Sequence, residues 1–129
     1  MAALDTLGRT DEAESLHHRL VDAKERTLGP TDSSTLTAVN NLAWFKLRHE
    51  RPGAAPFFER CVEGHADSTW MHHWGRLGRS LCRATETGDF NPSESVIQDL
   101  ITLLGEDHDR IANGRDKIEE VRTRAVERD

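Results

Sequence analysis

Apolar residues recur along this chain at intervals of three and four, and glycine or proline interrupts them. Ala13, Leu16, His17, Leu20 and Val21 share one side of a helix. Ala54, Phe57, Phe58, Cys61 and Val62 repeat the pattern, and Ser93, Val96, Ile97, Leu100 and Ile101 repeat it again. A second type of stripe runs Val39-x-x-Leu42-Ala43 and Trp74-x-x-Leu77-Gly78-x-x-Leu81. No run alternates with period two over a strand's length, so the pattern predicts an all-α domain. Gly8, Gly29-Pro30, Pro52-Gly53, Gly64, Gly88 and Gly105 fall where helices should stop. The expected helices are 11–28, 33–49, 54–63, 68–86, 91–104 and 108–127. Their stripes nominate a core of Leu16, Leu20, Leu36, Val39, Leu42, Ala43, Phe57, Phe58, Trp74, Leu77, Gly78, Leu81, Val96, Ile97 and Leu100.

The two stripe types alternate, and Ala43 and Gly78 stand close to one ~34-residue repeat apart. Small residues at those two positions would let helix axes approach closely. The stretch AESLHHRLVDAKERTLGPTDSSTLTAVNNLA (13–43) joins the end of one helix, a Leu-Gly-Pro turn and the front of the next helix with Asn-Asn-Leu-Ala. It resembles the tetratricopeptide repeats of the kinesin-light-chain type. The resemblance is strong over 7–63, fair over 70–105 and weak after 107. It implies a right-handed superhelical stack of about three antiparallel helix hairpins in a single domain over 1–129. The units would be a partial repeat (1–28), two repeats (29–66 and 67–104) and a C-terminal capping helix (105–129).

Three departures from the repeat stand out. Lys46 occupies a position where a large apolar residue is expected, the turn at 50–53 is one residue short, and the linker before Trp70 lacks Leu-Gly-Pro. At the front, Ala3-Leu4 and Leu7-Gly8 look like the end of a first helix whose beginning is missing. That reading favours a C-terminal fragment of a larger chain, and similar repeats often close larger bacterial multidomain proteins. Leu16 and Leu20 would then lack their usual hairpin partner, which implies self-association through the N-terminal end. The last helix carries Ile111, Ile118, Val121 and Ala125 on one side and mostly charge elsewhere, as a solenoid cap requires.

Composition narrows the function. A net charge of −6 and a pI near 5.6 argue against general binding to nucleic acid or an anionic membrane surface. No apolar run approaches the ~20 residues that span a bilayer, and the first residues lack the basic-then-apolar order of a secretory signal. Two cysteines without CxxC spacing do not make a disulfide framework, so a reducing cytoplasm is the expected setting. The seven histidines include the adjacent pairs His17-His18 and His72-His73, whose members point ~100° apart on a helix. No HExxH, zinc-spaced Cys/His set, GxSxG or P-loop occurs. No catalytic residue, cofactor or metal is expected.

What remains is recognition of a protein or peptide. In this repeat family the first helices of the hairpins line a concave groove, and positions flanking their Leu-Gly stripe contact extended peptides. Carried onto this sequence, those positions are Thr37, Asn40, Asn41, Trp44 and Arg48, followed by His72, Arg76, Arg79 and Arg83. Trp44 fits a core position as well as a ligand contact. Arg76, Arg79 and Arg83 form one basic stripe by their spacing. Arginine pairs bidentately with carboxylates and asparagine offers both donor and acceptor, so an acidic peptide is the expected ligand. The plain alternative is a solvated helix face that pairs with neighbouring acids. Two further readings are a self-assembly or regulatory segment of a larger multidomain signalling protein and, more remotely, a small metal-dependent enzyme.

Overall fold

Glycines with positive φ, Gly29, Gly88 and Gly105, end three of the helices. The computed structural model describes residues 2–66 and 68–128, with side chains at 9–66 and 68–125. Over these residues it has six helices and no strand: α1 (Ala2–Leu28), α2 (Ser33–Arg48), α3 (Ala54–Gly64), α4 (Trp70–Thr87), α5 (Asn91–Leu104) and α6 (Asp109–Arg128). Gly29 ends α1 at φ +93°, and its N–H donates to the Glu25 carbonyl at 3.0 Å. Asp32 then caps α2, its carboxylate accepting from the Ser34 N–H at 2.9 Å. The buried Thr35 hydroxyl reaches back to the Gly29 carbonyl at 2.8 Å, which fixes the α1–α2 turn.

Five of the six expected helices match within about two residues. The exception is α1, which continues through Gly8 to Ala2. An interior glycine costs only ~1 kcal/mol against alanine, and Gly8 is not followed by the proline that accompanies Gly29. The break expected at Leu7-Gly8 is therefore absent. The short turn after α2 is closed by Glu50 at φ +56°, the one non-glycine residue with positive φ among those described. Gly53, at φ +88°, then opens α3.

Successive helices pack on one another, and α4 also touches α2 and α6. The main core joins Ala43, Leu47, Phe58, Trp74, Leu77, Leu81, Val96, Ile97, Leu100, Ile111, Ile118 and Val121. A smaller cluster joins Val21, Ala38, Val39, Leu42 and Cys61 beneath α1. A Cβ built on Gly78 would overlap the Phe58 ring, and one on Gly75 would crowd Cys61 and Val62. These glycines let α4 lie against α3, as the small-residue stripe implied.

One expectation about the core needs correction. Leu16 and Leu20 are 61% and 46% exposed. The side of α1 that packs is the one bearing Val21, Glu14, Lys24 and the two histidines, because that side meets α2 and α3. Lys46, the misfit of the repeat pattern, is buried and satisfied. Its Nζ lies 2.6 Å from Glu14 Oε2 and 3.3 Å from the Pro52 carbonyl. This ion pair replaces the apolar contact between α1 and α2 that a large side chain would make.

Candidate interaction site

The neighbours of α4 decide which of its faces is open. Gly75 and Gly78 face α3. Trp74 meets Trp44 of α2, with ring centroids 5.5 Å apart. Leu77 and Trp74 line the space that a side chain at Gly114 of α6 would occupy. Ser80 meets Ser93 of α5, their hydroxyls 2.7 Å apart. With ~100° between successive residues, these contacts surround α4 on every side except one. Arg76, Arg79 and Arg83 occupy that remaining side, opposite Trp74 and Leu77.

The three arginines line one wall of a cleft of about 500 Å³ between α3 and α5, together with Glu59, Ser80, Thr87, Asp89, Pro92 and Val96. Arg79 Nη1 is 2.9 Å from Glu59 Oε1 of α3. Arg76 Nη1 is 2.8 Å from Asp99 Oδ2 of α5 and also 2.8 Å from His73 Nδ1. Arg83 is exposed and makes no ion pair with another described residue. The stripe thus combines two arginines held by short, half-exposed ion pairs with one whose donors are uncommitted.

The residues expected on α2 lie elsewhere. Lys117 of α6 sits over the Trp44 ring at 5.5 Å. Glu120 lies 3.8 Å from Arg48, and Arg124 Nη1 donates to the Leu47 and Arg48 carbonyls at 3.2 and 2.6 Å. α6 therefore lies across the C-terminal half of α2. Trp44 packs edge-on against Phe58 at 5.0 Å. Asn40, one turn earlier, is buried. Asn40 Oδ1 and Trp44 Nε1 both lack a hydrogen-bond partner. Thr37 and Asn41 remain exposed on α2, Thr37 with its hydroxyl bonded to the Ser33 carbonyl of its own helix. His72 is engaged at the end of α3, where its Nδ1 meets the Val62 and His65 carbonyls at 2.9 and 3.1 Å.

The structure distributes the nominated residues: Trp44 and Arg48 contact α6, Asn40 is buried on α2, His72 lies at the α3–α4 junction, and Arg76, Arg79 and Arg83 share an open cleft. Sequence reasoning missed Glu59, Asp89 and Asp99, the acids that face the stripe, and Lys117 and Arg124, the cations that hold α6 to α2. Spacing did not mark Glu59, Asp99, Lys117 and Arg124, because each acts on a helix other than its own; Asp89, in the α4–α5 turn, acts locally, accepting from the Asn91 N–H at the start of α5.

Burial pushes both thiols up to about 11, with the nearby Glu86 carboxylate adding to the effect at Cys82. Both are protonated at neutral pH and poor nucleophiles. Cys82 lines a second cavity of about 560 Å³ between the α2–α3 turn and the C-terminal ends of α4 and α6. Among the described residues no three His, Cys, Asp or Glu are grouped to hold a metal ion, and no helix is long and apolar enough to cross a membrane. Comparison with protein-family models, characterised proteins and solved structures finds no match to the chain.

Proposed function

We propose that this chain is a non-catalytic interaction module that takes an acidic segment of a partner protein into the cleft between α3 and α5. The supporting observation is the placement of Arg76, Arg79 and Arg83 on the one open side of α4, with Arg83 uncommitted. A carboxylate on the partner would pair first with Arg83. It could then exchange with Glu59 or Asp99 at Arg79 and Arg76, since both internal pairs are partly solvated. The resemblance of 13–43 to a kinesin-light-chain-type repeat supports a protein ligand. It favours the cytoplasm as the setting and a helical-repeat stack as the architecture, with the α2 side covered by α6.

Exposed ion pairs contribute ~0.2–1 kcal/mol each, so three contacts give ~0.6–3 kcal/mol, or about 3- to 150-fold in affinity. That contribution weakens with salt as the Debye length falls from ~10 Å at 0.1 M to ~3 Å at 1 M. The test titrates an acidic and a basic peptide of equal length against the parent and the Arg76→Ala/Arg79→Ala/Arg83→Ala variant, both matched for helicity. The parent should prefer the acidic peptide, and the variant should lose that preference. Equal binding by the two proteins, or a preference for the basic peptide, removes the arginine stripe from the function.

A further inference from the structure

The outer face of α1 carries an apolar stripe that stands exposed among the described residues. Leu16 and Leu20 are 61% and 46% exposed. Ala23 and Thr27 are exposed on the same stripe, and Ala13 borders it half-buried. The opposite side of α1 is fully engaged. Val21 is buried, Glu14 pairs with Lys46, Lys24 bonds Ser34, and His17 and His18 pack on Phe45 and Phe57. The exposed leucines are therefore a second face of a helix whose first face is already used.

We propose that this face binds a second copy of the same chain, with the two α1 helices antiparallel. Ala13, Leu16, Leu20, Ala23 and Thr27 occupy alternating three- and four-residue steps, the spacing of a helix-pairing seam. A two-fold axis between Leu16 and Leu20 places Leu16 opposite Leu20 of the second copy and Ala13 opposite its Ala23. In that register the flanking position of Glu12 falls beside the second copy's Arg26, and the symmetry makes the pair twice. Both side chains are exposed. In a parallel arrangement each flanking residue would instead meet the position five residues on in the second copy, Glu12 beside His17 and Arg19 beside Lys24; His17 and Lys24 are already engaged with α2, and the Arg19–Lys24 repulsion would be made twice, so charge selects the antiparallel one. Arg19, also exposed, meets its own copy near the axis. That like-charge contact, together with the short apolar seam, makes the dimer weak. This surface is on a different helix from the arginine cleft, so the two proposals stand or fall separately.

Sedimentation equilibrium of the full chain tests it. A reversible dimer should form at micromolar concentration. Leu16→Glu/Leu20→Glu should be monomeric at unchanged helicity, because both leucines already face solvent, and Arg19→Ala should dimerise more tightly. Glu12→Arg and Arg26→Glu should each weaken the dimer about three- to tenfold, and the two reversals combined should restore it. A chain that is monomeric at high micromolar concentration, or a dimer that survives the double leucine substitution, overturns the proposal. Failure of the combined reversal to restore what each single one loses overturns the antiparallel register.

Discussion

Gly78→Ala adds one methyl group, and its cost can be worked from the structure. Gly78 is buried where α4 crosses α3, and a Cβ there would overlap three carbons of the Phe58 ring. Phe58 is fully buried and edge-on to Trp44 at 5.0 Å, so the ring has no free space to enter. Overpacking of this kind costs ~1–3 kcal/mol. Replacing an interior helical glycine by alanine returns up to ~1 kcal/mol through propensity. Overlap with three carbons of a buried ring puts the overpacking cost in the upper half of its range, ~2–3 kcal/mol, so the net loss is ~1–2 kcal/mol, which for a chain of this size lowers Tm by roughly 3–10 °C. Gly114→Ala is the internal control. The first atom its Cβ would meet is the terminal Cδ1 of Ile97, at 2.7 Å, and a flexible side-chain end can move. Gly114→Ala should therefore be neutral or stabilising. Thermal melts followed by circular dichroism read both variants. In the combined variant, Phe58→Leu should recover ~1 kcal/mol of the Gly78→Ala loss in a double-mutant cycle. A Gly78→Ala protein that melts at or above the parent temperature refutes the close approach of α3 and α4.

The other expectations concern charge and the placing of α6. Glu14→Ala leaves the buried Lys46 ammonium with the Pro52 carbonyl as its remaining hydrogen-bond acceptor, and chemical denaturation should show a loss of ~1–3 kcal/mol, whereas Lys46→Met should cost less than ~1.5 kcal/mol. Lys46, bonded to the Glu14 carboxylate, holds it below its ordinary value of 4.5, outweighing desolvation. That stability is complete above pH 4.5 and should be lost as pH falls through the lower folded value. Burial, with the neighbouring histidine second, lowers His17 and His65 below 6.5, so their contribution is present above pH 6.5 and should decline first on acidification. The double variant His17→Gln/His65→Asn should flatten the stability–pH curve just below pH 6.5. Arg124→Ala removes the tie to the Leu47 and Arg48 carbonyls and should cost ~1.5–3 kcal/mol, with increased acrylamide quenching of Trp44. Glu59→Ala frees Arg79 and should tighten acidic-peptide binding about two- to fivefold.

Local chemistry made the helices legible. The Gly29-Pro30 and Gly88 stops, the Asp32 cap and the three- and four-residue stripes each depend on residues close in sequence, and the helices follow them. The same spacing correctly placed Arg76, Arg79 and Arg83 on one face. It could not say what surrounds that face, because Glu59 and Asp99 come from other helices and α6 arrives last in the chain. Trp44 looked open to a groove only while Lys117 and Arg124 were unplaced. Leu16 and Leu20 show the limit most clearly. Their periodicity marks an apolar stripe, and whether a stripe is core or surface depends on which neighbour reaches it. Lys46 is the converse, a charge whose burial became intelligible only once Glu14 was known to lie beside it.

The proposed cleft and the α2–α6 junction can be told apart in one titration. The ¹H–¹⁵N spectrum of the labelled chain resolves the arginine side chains and the indole N–H groups, and Trp44 Nε1, with no hydrogen-bond partner among the described residues, reports directly on the α2 side. On addition of an acidic peptide, the shifts should be confined to Arg76, Arg79 and Arg83, to Glu59, and to the 89–96 segment, while the Trp44 indole signal stays still. Movement of the Trp44 indole and Asn40 amide signals with the arginines unchanged would contradict the proposed site, as would a spectrum unaffected by the peptide.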